Sequence, residues 1–171
     1  MAGIRHRLVL GGARSGKSRH AQALAEATGL RRTYLATAEA RDEEMAARIA
    51  QHQAERGAGW QTLEAPLDMP NALGTVVDSD VVLVDCLTLW LTNVMLGDRD
   101  VEKEMEALVA ALAAAPQPVI LVSNEVGLGL VPETPLGRAF RDAQGRLNQR
   151  MAEEVAEVRF VAAGLPLVLK G

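Results

Sequence analysis

Short apolar runs alternate along the chain with longer segments in which apolar residues recur every three or four positions. The runs at residues 7–10, 33–37, 60–63, 81–85, 119–123, 158–162 and 166–169 have the length of strands. Gly164 splits the last two, which therefore read as a C-terminal hairpin. Residues 17–27 and 42–56 have helical period, and Val101, Met105, Leu108, Val109 and Leu112 form an apolar stripe on a third helix. Phe140, Gln144, Leu147, Met151 and Val155 mark another, while Pro116 and Pro118 stop the third helix before the next strand. This alternation predicts an α/β protein whose mostly parallel sheet is flanked by helices. Trp90, Leu91, Met95 and Leu96 are open to a role on a partner face, with buried core the commoner use of such residues.

With 171 residues, 49% of them hydrophobic, and neither an internal repeat nor a linker, the chain predicts one domain over 1–171. The net charge of −4 leaves no broad basic field for a nucleic acid or an anionic membrane, so any anionic ligand must be gripped locally. No apolar run approaches the ~18 residues of a membrane span, and Leu8, Val9 and Leu10 are too short a stretch for a secretory leader. Cys86 is the only cysteine, which excludes an internal disulfide and fits a reducing compartment; the cytoplasm is the expected location.

The local grip is visible at Gly11-Gly12-Ala13-Arg14-Ser15-Gly16-Lys17-Ser18, a G-x-x-x-x-G-K-S sequence set between an apolar strand and a helix. Its glycines let the backbone approach phosphates, the amides of the loop and helix start favour negative charge, and Lys17 reaches the β- and γ-oxygens. Ser18 is the candidate ligand of Mg²⁺. Lysine occurs elsewhere only at Lys103 and Lys170, so Lys17 is no by-product of a lysine-rich surface. Asp85 closes the apolar run 81–84 at the edge of the sheet where ligands of α/β proteins bind, and is the candidate acid on the Mg²⁺ side. Cys86 beside it reads as a packing residue.

A P-loop is shared by kinases, GTPases and motors. No Asn-Lys-x-Asp sequence is present to read guanine in the manner of a switch GTPase. On the second helix, at ~100° per residue, Arg48 and Arg56 lie about 40° to either side of His52. An imidazole flanked by guanidinium groups is kept neutral and supplied with phosphate donors, the setting in which histidine attacks phosphorus. Because Met45 and Ile49 share that face, a packing role for His52 stays open on the residues alone. His20, one turn beyond the P-loop, is open to nucleotide contact or to covering the first helix, and His6 lies in a short basic leader.

The P-loop with Arg19, Tyr34-Leu35-Ala36-Thr37-Ala38, Asp42-Glu43-Glu44-Met45 with Arg48, Ile49 and His52, Ser123-Asn124-Glu125-Val126-Gly127, Val131-Pro132-Glu133, Arg141-Asp142 and Gly145-Arg146-Leu147-Asn148-Gln149-Arg150 together resemble the bifunctional adenosylcobinamide kinase/adenosylcobinamide-phosphate guanylyltransferase family. The resemblance spans nearly the whole chain. It implies a RecA-like P-loop sheet, a trimeric assembly and two reactions of cobalamin assembly: phosphorylation of adenosylcobinamide by ATP or GTP, then transfer of GMP from GTP to adenosylcobinamide phosphate. The second step in this family runs through a guanylylated histidine, which matches His52. The same pattern implies nucleotide contacts from Ala36, Thr37 and Ala38, from Gln53, Ala54 and Glu55 after His52, and from Glu64, whose carboxylate has the acceptors for a guanine N1–H and N2–H₂ edge. A single-function small-molecule P-loop kinase and a nucleotide-dependent regulatory protein are the competing expectations.

Overall fold

The computed structural model describes residues 6–40, 42–76 and 81–171, with the side chains of Arg48 and Glu55 outside that description. Among the described residues seven strands lie in one sheet: β1 (Arg7–Gly11), β2 (Arg32–Ala36), β3 (Trp60–Glu64), β4 (Val81–Val84), β5 (Val119–Asn124), β6 (Glu157–Ala162) and β7 (Leu165–Lys170). Their order is β3-β2-β4-β5-β1-β6-β7. Every neighbouring pair is parallel except β6 and β7, which form the antiparallel hairpin that Gly164 foretold.

The central strands read as unbroken apolar runs because both of their faces are covered. Leu8, Leu10, Val82, Val84, Val119 and Leu121 point to one side, where α3 (Met69–Thr75), α4 (Leu87–Leu96), α5 (Val101–Ala114) and α6 (Pro135–Glu154) pack. Val9, Val81, Leu83, Ile120 and Val122 point to the other, against α1 (Lys17–Glu26). The buried residues of α1 are Ala21 and Ala25, so small that the helix lies close to the sheet. α2 (Glu43–Arg56) borders the same side; its described residues are exposed or half-buried, apart from Arg56 at its end.

α3 and α4 have no counterpart in the pattern of the sequence. α3 is only seven residues long, with Pro70 in its first turn. α4 buries Leu87, Thr88, Trp90, Leu91, Asn93 and Val94, and a helix apolar on nearly every side has no period to read. Trp90 and Leu91 are thus core, and the Trp90 indole N–H donates to the Leu67 carbonyl at 3.0 Å; Met95 is half-buried and only Leu96 is exposed.

Parallel strands end together. The P-loop after β1, Thr37 after β2, Glu64 ending β3, Asp85 after β4 and Asn124 ending β5 all reach the carboxyl edge of the sheet. β1 lies between β5 and β6, with Gly11 in register with Asn124 on one side and Val161 on the other, so the P-loop rises between the loop that follows β5 and the β6–β7 turn.

Candidate active site

Backbone crowding dictates the glycines of the P-loop. A β-carbon at Gly11 would strike the Ser15 side chain and come within 2.7 Å of the Val161 carbonyl. Gly16 caps α1 in the left-handed region (φ 91°), where side chains are strained. Its neighbour is the hairpin turn: the Gly164 N–H donates to the Ser15 carbonyl at 2.8 Å, so the end of the chain braces the phosphate loop. Lys17 folds back across the loop and donates to the Gly12 carbonyl at 3.1 Å. Partial burial lowers its pKa below the usual lysine value.

Asp85 is held across the sheet by residues far away in sequence. Its Oδ1 accepts from the Thr37 N–H at 3.1 Å and from the Thr37 hydroxyl at 2.7 Å, and its Oδ2 accepts from the Tyr34 hydroxyl at 3.1 Å. Burial, reinforced by the Asp85 carboxylate, pushes the Tyr34 hydroxyl far above its ordinary pKa, so it stays a donor. The Arg56 guanidinium lies 3.5 Å from the centroid of the Tyr34 ring. That contact ties the end of α2, one turn beyond His52, to the strand that orients Asp85.

The elements converge on a cavity of about 490 Å³ bordered by Lys17, Ser18, Ala36, Ala38, Met45, Ile49, His52, Gln53, Arg56, Glu64, Asp85 and Asn124. A second hollow of about 560 Å³ between α1 and α2 shares Ser18, Tyr34, His52, Arg56 and Asp85 with it and adds Arg19 and Gln22. His52, whose helical face left its role open and whose catalytic role is what the resemblance implies, borders the same space as Lys17, Ser18 and Asp85. Gly11, Gly12, Ala13, Arg14, Ser15 and Gly16 form the turn that delivers Lys17 and Ser18 without themselves lining either hollow. Thr37 is fully buried, its side chain spent on Asp85 and Cys86, so it reaches this space only through Asp85. Ala54 is exposed and does not line the cavity, while the side chains of Arg48 and Glu55 lie outside the described residues.

The other histidines stand elsewhere. His20 Nε2 is 3.3 Å from the Arg159 guanidinium on β6, and the His6 ring accepts from the Val119 N–H at 3.2 Å at the opposite edge of the sheet. Burial raises the pKa of the Cys86 thiol, as befits a packing residue. The sequence reading assigned no role to Tyr34 or Asn124. Asn124 ends β5 above a buried network in which the Ser123 hydroxyl donates to Asn148 Oδ1 at 2.6 Å, Gln144 donates to both, and the Asn148 amide donates to the Asn124 carbonyl at 3.1 Å. The polar residues Gln144 and Asn148 on the apolar face of α6 were the available signal.

Among the described residues no group of three His, Cys, Asp or Glu side chains is arranged to hold a metal. One hydroxyl and one carboxylate at the cavity, Ser18 and Asp85, suit Mg²⁺, which retains water and takes further oxygens from a phosphate. No described helix is long and apolar enough to cross a membrane.

Comparison with known proteins accounts for the combination. Among solved structures the fold is similar to the flagellar accessory protein FlaH of Methanocaldococcus jannaschii (TM-score 0.54, 15% identity, 98% of this chain and 80% of that one). It is also similar to the RadB recombinase (TM-score 0.53, 14% identity, 93% and 74%), in keeping with a RecA-like P-loop sheet. At the level of sequence the chain is 51% identical over 167 residues to the bifunctional adenosylcobalamin biosynthesis protein CobP of Pseudomonas aeruginosa, covering 96% of each. It is 40% identical over 179 residues to the bifunctional adenosylcobalamin biosynthesis protein CobU of Escherichia coli, covering 95% of this chain and 98% of that one. With residues 7–169 matching the family model as well, the chain belongs to the cobinamide kinase / cobinamide phosphate guanyltransferase family.

Proposed function

We propose that this protein, acting as one catalytic domain, phosphorylates adenosylcobinamide with ATP or GTP and then joins GMP from GTP to the new phosphate, giving adenosylcobinamide-GDP. The observation that carries this reading is the meeting of His52 with Lys17, Ser18 and Asp85 around one cavity. In the first step the terminal hydroxyl oxygen of the substrate attacks the γ-phosphorus, the bond to the β-phosphate bridging oxygen breaks, a nucleoside diphosphate leaves and the hydroxyl proton passes to solvent. The chain contributes positioning and charge: loop amides and Lys17 hold the phosphates. Ser18 and Asp85 would hold Mg²⁺, which when bound neutralises charge on the transferred group.

In the second step an imidazole nitrogen of His52 attacks the α-phosphorus of GTP and pyrophosphate leaves. An oxygen of adenosylcobinamide phosphate then displaces the imidazole, the P–N bond breaks and His52 is regenerated. Glu64 at the cavity wall has the acceptors to read the guanine edge, with Ala36, Ala38 and Gln53 beside it. Arg56 at the cavity wall, or Arg48 by its helical spacing from His52, would offset charge as pyrophosphate departs. We extend the family pattern to a trimer located in the cytoplasm, with native mass as the measurement for the assembly.

GTP labelled at the α-phosphate tests the mechanism. Acid-labile label is expected on the wild-type protein and none on His52→Ala, which retains part of its phosphorylation of adenosylcobinamide. An unlabelled wild-type protein would remove the transferase half of this reading.

A further inference from the structure

β5 lies between β4 and β1, so its last residue, Asn124, stands between the strand that leads to Asp85 and the strand that leads to the P-loop. Gly11 is in register with Asn124, and the Glu125 N–H donates to the Gly11 carbonyl at 3.0 Å. β5 therefore runs out alongside the first residue of the phosphate loop. On the other side Val84 is in register with Leu121, which sets Asp85 level with Val122 and Asn124 two residues, roughly 7 Å, farther out along the sheet.

The backbone of Asn124 is clamped by two helices. Its N–H donates to the Thr88 hydroxyl of α4 at 2.9 Å, and its carbonyl accepts from the Asn148 amide of α6 at 3.1 Å. Asn148 is itself fixed, because its Oδ1 accepts from the Ser123 hydroxyl and from Gln144, and all three residues are buried. The Asn124 side chain takes no part in these bonds. Its Oδ1 is buried without a partner, whereas its Nδ2, unbonded among the described residues, stays accessible. Asn124 is half-buried and borders the cavity, so the accessible end of its amide is a donor turned to the space that Lys17, Ser18 and Asp85 surround. An unpaired buried acceptor costs stability, and the orientation that incurs this cost is the one that presents N–H₂ outward.

We infer that Asn124 is a further catalytic residue of the phosphoryl-transfer step: its side-chain N–H₂ donates to an oxygen of the γ-phosphate, from a backbone that Thr88 and Asn148 hold in place. Its role in turnover rests on the proposed kinase reading. A phosphate oxygen is the acceptor such a donor lacks, and the place of Asn124 beyond Asp85 along the sheet matches the outermost phosphate better than the inner two. As a neutral group it donates at every pH at which the protein is folded, and being fixed in advance it stabilises charge that gathers on the transferred group without rearranging. A nucleoside diphosphate leaves this donor unpaired, so the same contact favours the triphosphate in binding.

The test is calorimetry of the full chain, as wild type, Asn124→Ala and Asn124→Leu, with Mg²⁺ and either GDP or a GTP analogue whose β–γ bridging oxygen is replaced by NH. Both variants are expected to bind the analogue about tenfold or more weakly while their affinity for GDP stays that of the wild type. Phosphorylation of adenosylcobinamide is expected to lose about 100-fold in kcat with KM for adenosylcobinamide unchanged. Asn124→Leu, which removes the unpaired oxygen along with the donor, is expected to melt no lower than the wild type, the reverse of what a structural role for the amide would give. Equal weakening of GDP and the analogue would put the contact on an inner phosphate or in the fold, and unchanged binding of both would leave the amide without a nucleotide contact; either result overturns the assignment. Nucleotide discrimination is read without any corrinoid, so it stands apart from the functional reading, which fails instead if the wild-type protein forms no phosphate ester of adenosylcobinamide.

Discussion

At Gly11 and Gly16 the backbone conformation and the space around it leave no room for a side chain, yet the two positions fail differently. Gly16 needs its left-handed φ, a local requirement that the motif itself announces. Gly11 needs the absence of a β-carbon because the Val161 carbonyl of another strand stands 2.7 Å from where it would be. Gly11→Ala must push β6 and the P-loop apart, and a loss of about 1 to 3 kcal/mol in unfolding free energy is expected by denaturant titration, together with weakened nucleotide binding by calorimetry. Tyr34 illustrates the other limit of residue-level reading. Its hydroxyl and Asp85 are 51 positions apart, and nothing in either neighbourhood of the sequence pairs them.

Helices differ in how firmly they are tied down. α1, α4, α5 and α6 each bury a face in the core, whereas α2 has one buried described residue, Arg56, stacked on Tyr34 and 3.4 Å from the Thr62 hydroxyl. Its start is set locally, by Asp42 accepting from the Met45 N–H at 2.7 Å. The stack on Tyr34 is therefore an anchor of the element that carries His52, worth about 1 to 2 kcal/mol in such a desolvated place. Arg56→Ala is expected to cut guanylylation of the protein about tenfold or more while phosphorylation falls less. Equal loss of both rates would assign Arg56 to a phosphate site common to the two steps. α2 was legible in advance because one polar and one mixed face give it a period. α4 was not, since burial on almost every side erases the alternation by which a helix is recognised.

Across the whole molecule, β1 and β6 are clasped by charge as well as by their ladder. The Arg7 guanidinium donates to Glu157 at 3.0 Å, and Arg159 pairs with the other carboxylate oxygen. Partial burial pushes the Glu157 pKa upward, but the two guanidinium groups outweigh it and hold the carboxyl below its ordinary range. The folded state thus binds its proton less readily than the unfolded chain, so this contribution is present above the ordinary carboxylate pKa and is lost as pH falls through the lowered folded value. Thermal melts across acid pH are expected to fall more steeply for the wild type than for Glu157→Gln, and parallel curves would remove Glu157 from the acid response. What the sequence determined by itself is what neighbouring residues impose on one another: the α/β alternation, the turn of the phosphate loop, the face of α2 and the break at Gly164. Strand register and order were decided only by tertiary structure, because a parallel strand can pair with any other of matching apolar pattern, and the choice depends on how the helices close both faces at once. That choice put Tyr34 and Thr37 against Asp85, braced the P-loop with Gly164, and brought His52, Glu64 and Asn124 to the rim of one cavity.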